Sequence, residues 1–314
     1  MQIQHFYDQP TGSLTYLVDD GHRGVVIDPI RDYDPRSGRV SWASSENVAR
    51  VIRERGLQID YVIDTHAHAD HMTGLPYFKE HFGAQTVTGR GVGAIQSTFR
   101  DFYNIGPELD VDGSQFDLLA DDDQVLGCGE LEFRAMHTPG HTPSHLAWQI
   151  EDVVFVGDTL FMPDFGTARC DFPGGAAATL YDSIQRLYRL PDITRLLTGH
   201  DYQPGGRALA FESTVGEQKR NNVQLNARTT RDEYVAFRTS RDSDLAAPNL
   251  LLPAMQVNIR AGELPEAEDN GVRYLRIPLN ALGAAREETD DAEVAPEHDT
   301  SATVERLRRT AAFA

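Results

Sequence analysis

The segment Thr65-His66-Ala67-His68-Ala69-Asp70-His71 constrains this chain more than any other. Three imidazoles and a carboxylate fall within six residues, directly after the apolar run Tyr61-Val62-Ile63, which reads as a buried strand. Residues 66, 68 and 70 alternate along the chain, so in an extended turn their side chains leave on one side and converge. Burying such a cluster without partners is costly, and metal coordination is the usual compensation. The alternative is a polar loop that is His-rich by chance, and the downstream sequence argues against it.

Matching segments recur. Phe133-Arg134-Ala135-Met136 runs into His137-Thr138-Pro139-Gly140-His141, Val153-Val154-Phe155-Val156 into Gly157-Asp158-Thr159, and Leu196-Leu197-Thr198 into Gly199-His200-Asp201-Tyr202. Each is a short, mostly apolar run of strand type followed by Gly or Pro and a candidate ligand. Strand ends that deliver His and Asp to one rim place a metal site on rigid elements.

The set His66-x-His68-x-Asp70-His71, His141, Asp158 and His200 resembles the five-motif signature of the metallo-β-lactamase superfamily over roughly residues 1–215. The resemblance implies an α/β fold, a four-layer αββα sandwich with the metal at one edge of its two sheets. In two-metal members, His66, His68 and His141 would hold one ion, Asp70, His71 and His200 the other, and Asp158 would bridge. The superfamily spans several chemistries, so the fold alone names no reaction.

The loop from Phe161 to Gly175, with Arg169-Cys170-Asp171-Phe172-Pro173-Gly174-Gly175 at its end, resembles that of the persulfide dioxygenases, also called sulfur dioxygenases. The bacterial, β-lactamase-like branch of that family is the most similar. Ile27-Asp28-Pro29, Asp32-Tyr33-Asp34-Pro35, His200-Asp201-Tyr202-Gln203-Pro204-Gly205-Gly206-Arg207 and the segments 252–262 and 270–280 extend the likeness to about residue 282. It implies one Fe(II) per chain, held by His66, His141 and Asp158. It also implies oxidation of a thiol-bound persulfide by O₂ to sulfite and free thiol. His68, Asp70, His71 and His200 would then orient the ligands from outside. Spacing alone allows equally a two-Zn(II) hydrolase that uses all seven residues.

Arg169 is expected to pair with a carboxylate of a glutathione-like substrate, because guanidinium and carboxylate match as forks; a salt bridge that holds the loop is the alternative. Tyr202 is expected to reach the same pocket, and a core tyrosine is as good a reading. Cys170 reads as a small packing residue. His137 and His145 read as hydrogen-bonded structural residues and His81 as solvent-facing, while His5, His22 and His298 have no partner at useful spacing.

A net charge of −19 argues against nucleic acid as a partner, since phosphate repulsion opposes binding. Only two of the 29 basic residues are lysines, Lys79 and Lys219. An acidic, lysine-poor surface resembles halophilic proteins; a high-GC genome with an ordinary acidic surface would give the same composition. No apolar run reaches membrane-spanning length, no secretory pattern opens the sequence, and the two cysteines build no disulfide framework. A cytoplasmic protein is therefore expected, and a homodimer as the commonest closed assembly.

Strands are expected at Gln2–Tyr7, Ser13–Val18 and Gly24–Ile27, and helices from Ser44 to near Gly56, Met72–Phe82, Val92–Phe102, Leu180–Leu190 and Phe211–Leu225. The organisation read from this pattern is a catalytic domain over 1–215, a C-terminal extension packed on it over 216–282, and an acidic flexible tail over 283–314, with a short helix at Val304–Phe313. Glyoxalase II enzymes resemble the chain over the metal motifs and carry a helical glutathione-gripping domain, which Glu217-Gln218-Lys219-Arg220-Asn221-Asn222 resembles faintly. Residues 248–280 read instead as Pro- and Asn-rich β-type runs. Three functions follow: the dioxygenase, a glyoxalase II-type thioester hydrolase with two metals, and a metal-stabilised binding protein without turnover.

Overall fold

The computed structural model describes residues 1–282; the acidic tail and the helix expected within it lie outside the described residues. The chain opens with β1 (Gln2–Asp8), β2 (Ser13–Asp19) and β3 (Arg23–Ile27), then β4 (Ile30–Asp34), β5 (Arg39–Ser41) and α1 (Ala43–Arg55). There follow β6 (Gln58–Ile63), β7 (Met72–Thr73), α2 (Leu75–Phe82), β8 (Gln85–Gly89), α3 (Val92–Phe102) and β9 (Leu118–Ala120). The second half holds β10 (Val125–Cys128), β11 (Leu131–His137), β12 (Leu146–Ile150), β13 (Val153–Gly157), α4 (Ala177–Tyr188), β14 (Arg195–Thr198) and β15 (Glu212–Thr214). Helices α5 (Val215–Asn221), α6 (Arg231–Asp242) and α7 (Leu251–Asn258) complete it.

Two six-stranded sheets result, ordered β1-β2-β3-β6-β8-β9 and β10-β11-β12-β13-β14-β15. Strand β2 shows why they stack. Its Leu14, Tyr16 and Val18 point into a core shared with Phe133, Trp148 and Phe155 of the other sheet, while Leu17 points outward to Val48 and Ile52 of α1 and Phe78 of α2. The outer face of the second sheet is covered by Leu180, Ile184 and Leu187 of α4. Period-2 strands with two apolar faces and helices with one apolar stripe leave this layering as the way to bury both. The αββα sandwich expected from the motifs is the observed fold.

Three expected elements differ. Helix α2 starts at Leu75, because Met72 and Thr73 pair with β4 and Pro76 belongs in a first turn. The stretch expected as one helix from Phe211 to Leu225 is β15, paired to β14, followed by α5; Thr214 and Glu217 form the capping box that begins it. Residues 248–280 are not all β-type: Leu251–Asn258 is helix, with Pro253 in the first turn, where the missing N–H costs nothing. Helix α6, opened by the Thr230–Glu233 capping box, was not expected at all. The C-terminal part is thus substantially helical. Its Leu225 and Tyr234 join the α4 cluster, and Met255 and Ile259 pack with Phe99, Phe102 and Phe172. No helix among the described residues is long and apolar enough to cross a membrane.

Candidate metal centre

Every strand that the sequence marked ends at one rim. The loop after β6 carries His66 to His71, the loop between β11 and β12 carries His141, Asp158 follows β13 and His200 follows β14. Two glycines make room for this. Gly140, at φ +133°, lies so close to α4 that a Cβ would sit 2.3 Å from the Leu180 amide nitrogen. Gly157, at φ +48°, faces the Thr65 hydroxyl and the His145 ring, which a Cβ would strike at 2.7 and 2.8 Å.

Two adjoining clusters hold most of the expected donors, and a third, Asp28, Asp64 and His68, overlaps the second. His66, His141 and Asp158 bring one ligand atom each within 4.8 Å of one another, and His68, Asp70 and His71 do the same beside them. In the first cluster, the Nε2 atoms of His66 and His141 each lie 3.8 Å from Asp158 Oδ2. These atoms are buried, and His66 Nε2 has no hydrogen-bond partner, as does Nδ1 of His68. Buried, convergent and unpaired nitrogen lone pairs beside a carboxylate are the donor set of a metal ion, and the site fits one.

Hydrogen bonding fixes which nitrogen each ring offers. The Thr65 hydroxyl, 2.9 Å from Asp28 Oδ2, donates to that carboxylate and so accepts from His66 Nδ1–H at 2.9 Å, which leaves His66 Nε2 as a lone pair. His141 Nδ1–H donates to the Arg169 carbonyl at 2.8 Å and His71 Nδ1–H to the Met72 carbonyl at 3.1 Å, with the same result. Asp158 is held from both sides: its amide donates to His145 Nε2 at 3.1 Å and its Oδ1 lies 2.7 Å from His200 Nδ1. His200 Nε2 is in turn 2.7 Å from Asp70 Oδ2.

Charge follows this wiring. Burial alone would raise Asp70 and Asp158, but His200 between them outweighs it and holds both below the usual carboxylate range. His68 is buried, which opposes its charge, yet Asp28 at 3.0 Å, with Asp64 and Asp70 nearby, pushes it up to about 9. Burial lifts Asp64 to about 7. Burial also lowers His66, together with the neighbouring His68, and takes His71 down to about 4 and His145 to about 3. The metal-free site therefore keeps His66 and His71 neutral and ready to ligate, while carboxylate neighbours outweigh burial and favour the charged forms of His68 and, through Asp158 and Asp70, of His200.

A cavity of about 590 Å³ opens over Asp70, His71, His141 and Asp158 and reaches Tyr202 and Arg169. Tyr202 stacks on His200 at 5.5 Å with its ring nearly parallel and stands against Phe161 and Phe165. Arg169 lines the cavity, but its fork is not open to a substrate. Nε and Nη2 close on Asp171 at 2.6 and 2.5 Å, and Nη1 donates to the Ala246 carbonyl at 2.7 Å. In this geometry Arg169 is the loop clamp that stood as the alternative to a substrate contact, tying His141 to residues 245–246. The basic stretch around Lys219 does not reach the cavity either, as Lys219 pairs with Asp192. Cys170 is buried and free, as packing predicts.

Four supporting residues had no site role in the sequence reading: Asp28, Asp64, Asn258 and Ser13, whose hydroxyl lies 3.1 Å from Asp70 Oδ2 and 2.9 Å from His200 Nε2. Asn258 of α7 donates from Nδ2 to the carbonyls of His68 and His71, at 2.7 and 2.8 Å, and accepts from the Thr73 amide at 2.9 Å. His145, expected only as a structural residue, supports Asp158 directly.

A two-sheet sandwich with imidazole and carboxylate donors at its strand ends defines a metal-dependent enzyme of the α/β class. The chain belongs to the metallo-beta-lactamase superfamily, whose model matches residues 8–200. A Burkholderia pseudomallei protein named "Probable metallo-hydrolase" is 48% identical over 90% of this chain and 100% of its own length. "Glyoxylase B2" of Dictyostelium discoideum is 43% identical over 88% of this chain and 95% of that protein. The persulfide dioxygenase ETHE1 of Homo sapiens is 27% identical over 83% of this chain and 88% of that protein. The crystal structure of ETHE1 from Myxococcus xanthus superposes with a TM-score of 0.67 at 27% identity, covering 84% of this chain and 100% of that one.

Proposed function

We propose that this chain is an Fe(II)-dependent dioxygenase that oxidises the persulfide of a low-molecular-weight thiol, glutathione or an analogue, to sulfite and free thiol. The observation that carries this reading is the separate buried cluster of His66, His141 and Asp158, with His200 engaged by Asp158 and Asp70. Two imidazoles and one carboxylate on one face suit non-haem Fe(II) and leave positions for dioxygen and a sulfur. The likeness to ETHE1 in sequence and structure supports the same assignment.

Bound iron would supply the activation of dioxygen and a seat for the persulfide sulfur. The chain's own residues do the rest. Thr65 and the Arg169 carbonyl take the Nδ1 protons of His66 and His141, so both rings present Nε2. His200 occupies one oxygen of Asp158 and leaves the other to the metal. Phe161, Phe165 and Tyr202 line one side of the cavity with aromatic rings beside His200. Persulfide, dioxygen and water give thiol and sulfite, with four electrons passing from the outer sulfur to dioxygen.

The test is oxygen uptake by anaerobically Fe(II)-loaded protein on addition of glutathione persulfide, with sulfite and bound metal measured. Sulfite formed in step with oxygen, at one iron per chain, supports the proposal. A second reading, a two-zinc thioester hydrolase of glyoxalase II type, draws on the adjoining cluster of His68, Asp70 and His71 and on the likeness to "Glyoxylase B2". It requires two zinc ions per chain and hydrolysis of S-lactoylglutathione, with no oxygen uptake.

A further inference from the structure

The cavity over the metal donors has four arginines on its wall, Arg31, Arg169, Arg238 and Arg241, and three of them are closed or turned away. Arg31 directs its guanidinium over the Trp42 ring and onto the Gly262 carbonyl, where Glu263 and Arg273 line a separate cavity. The fork of Arg169 is closed on Asp171. Arg238 is buried and bonds Asp242, the Thr167 carbonyl and Gln224. Arg241, in the last turn of α6, is exposed and makes no side-chain hydrogen bond or ion pair among the described residues. Its fork is free.

The element that carries Arg241 is braced against the metal loop. Asp242 Oδ2 accepts from the Cys170 amide at 2.8 Å, and Arg238 Nη1 donates to the Thr167 carbonyl at 3.2 Å. Arg169 holds the Leu245 and Ala246 carbonyls just beyond the helix, while its own carbonyl takes the Nδ1 proton of His141. The end of α6 and the donor His141 are therefore joined through one short segment, residues 167–170. A free cation on a braced element stands at a set reach from the donors, and only its side chain remains to be ordered on binding.

Charge matters at this wall. It also carries the carboxylates of Asp8, Asp32 and Asp70, and the whole chain carries −19. Asp8 is taken by Thr11, Asp32 by Ser44 and Asp70 by His200, and none of them pairs with Arg241. An anionic ligand entering such a cavity is repelled unless a cation on the wall offsets the field.

We infer that Arg241 is the carboxylate contact of this cavity: it takes a carboxylate of the thiol carrier whose sulfur end lies at the metal donors. This rests on the proposed reading in that the ligand is a carboxylate-bearing thiol such as glutathione. Guanidinium and carboxylate match as a two-bond fork. Because Arg241 is exposed, water screens the pair and keeps its contribution modest.

The test is calorimetric binding of S-methylglutathione and of its diethyl ester to the full chain, wild type against Arg241→Gln and Arg241→Glu. S-Methylglutathione should bind Arg241→Gln about three- to tenfold more weakly than wild type, and Arg241→Glu more weakly still. The ester, which has no carboxylate, should bind all three alike. Melting temperature and metal content should stay at the wild-type values, since the Arg241 side chain braces nothing. With Fe(II)-loaded protein and glutathione persulfide, the loss should fall on KM rather than kcat. Equal binding of S-methylglutathione by wild type and Arg241→Gln would overturn the inference, as would no binding to wild type or an equal loss for the ester. Arg241-dependent binding without oxygen uptake keeps the contact and removes the dioxygenase reading. Oxygen uptake with a KM untouched by Arg241→Gln keeps the dioxygenase and removes the contact.

Discussion

At the scale of single residues, the site depends on groups that never touch a metal. Asp28 accepts from the Thr65 amide, the Thr65 hydroxyl and His68 Nε2, and so sets the proton positions on two histidines. It does this from φ +51°, a conformation that asparagine also tolerates. Asp28→Asn should therefore keep the fold while metal affinity falls about 10–100-fold, as read by competition with a chelator. Asp158→Ala should remove bound metal and activity together, measured by metal analysis of the purified protein. His66, His68, Asp70, His71, His141, Asp158 and His200 were legible in the sequence because donor type and spacing carry the signal. Asp28 and Asp64 were not, since an acidic residue at a strand end looks like any turn aspartate until a distant histidine faces it. For Arg169 the sequence offers both a substrate carboxylate and a loop salt bridge, and only the fold shows Asp171, two residues along, closing its fork.

At the scale of elements, the periodic ones were readable and the short ones were not. Helix α1, with Val48, Val51 and Ile52 on one face and Gly56 as its left-handed stop, follows from pattern alone. Helix α7 is apolar nearly all round, so it shows no helical stripe, and Pro253 looks like a breaker unless its first-turn position is known. Yet α7 matters to the site, because Asn258 at its end satisfies two carbonyls and one amide of the metal loop. Asn258→Ala should cost about 1–3 kcal/mol for each group left buried without a partner. Urea unfolding would measure the loss, and metal affinity should fall with it.

At the scale of the molecule, proton balance and net charge set the conditions for stability. In the metal-free protein His66, His71 and His145 are held neutral below the 6.5 of an unfolded histidine. The unfolded chain thus binds more protons as pH falls below 6.5, and stability is lost in that direction. Asp64, protonated in the fold up to about 7, opposes this by one proton. The net expectation is a lower melting temperature at pH 5 than at pH 6.5 without metal, and a smaller difference with metal bound. A flat profile would contradict neutral burial of the three imidazoles. The charge of −19 leads to a second expectation. Raising salt from about 0.1 to 1 M shortens the screening length from about 10 to 3 Å, so self-repulsion weakens and the melting temperature should rise. The sandwich was legible at this scale because both sheets advertise two apolar faces. The helical character of the C-terminal part was not, because its helices are short and depend on capping boxes and packing.

Asn258 also imposes an order on biosynthesis. It lies 190 residues downstream of the His68 carbonyl that it holds. At roughly 5–20 residues per second, a ribosome needs on the order of ten to forty seconds to make that stretch. His141, Asp158 and His200 follow during that interval, and even once they are made the loop still lacks its clasp, so an ion captured early is held by an unfinished site. Nascent chains stalled before residue 258 should therefore surrender metal to a chelator that the completed protein resists, which makes retention of the ion one of the last properties the chain acquires.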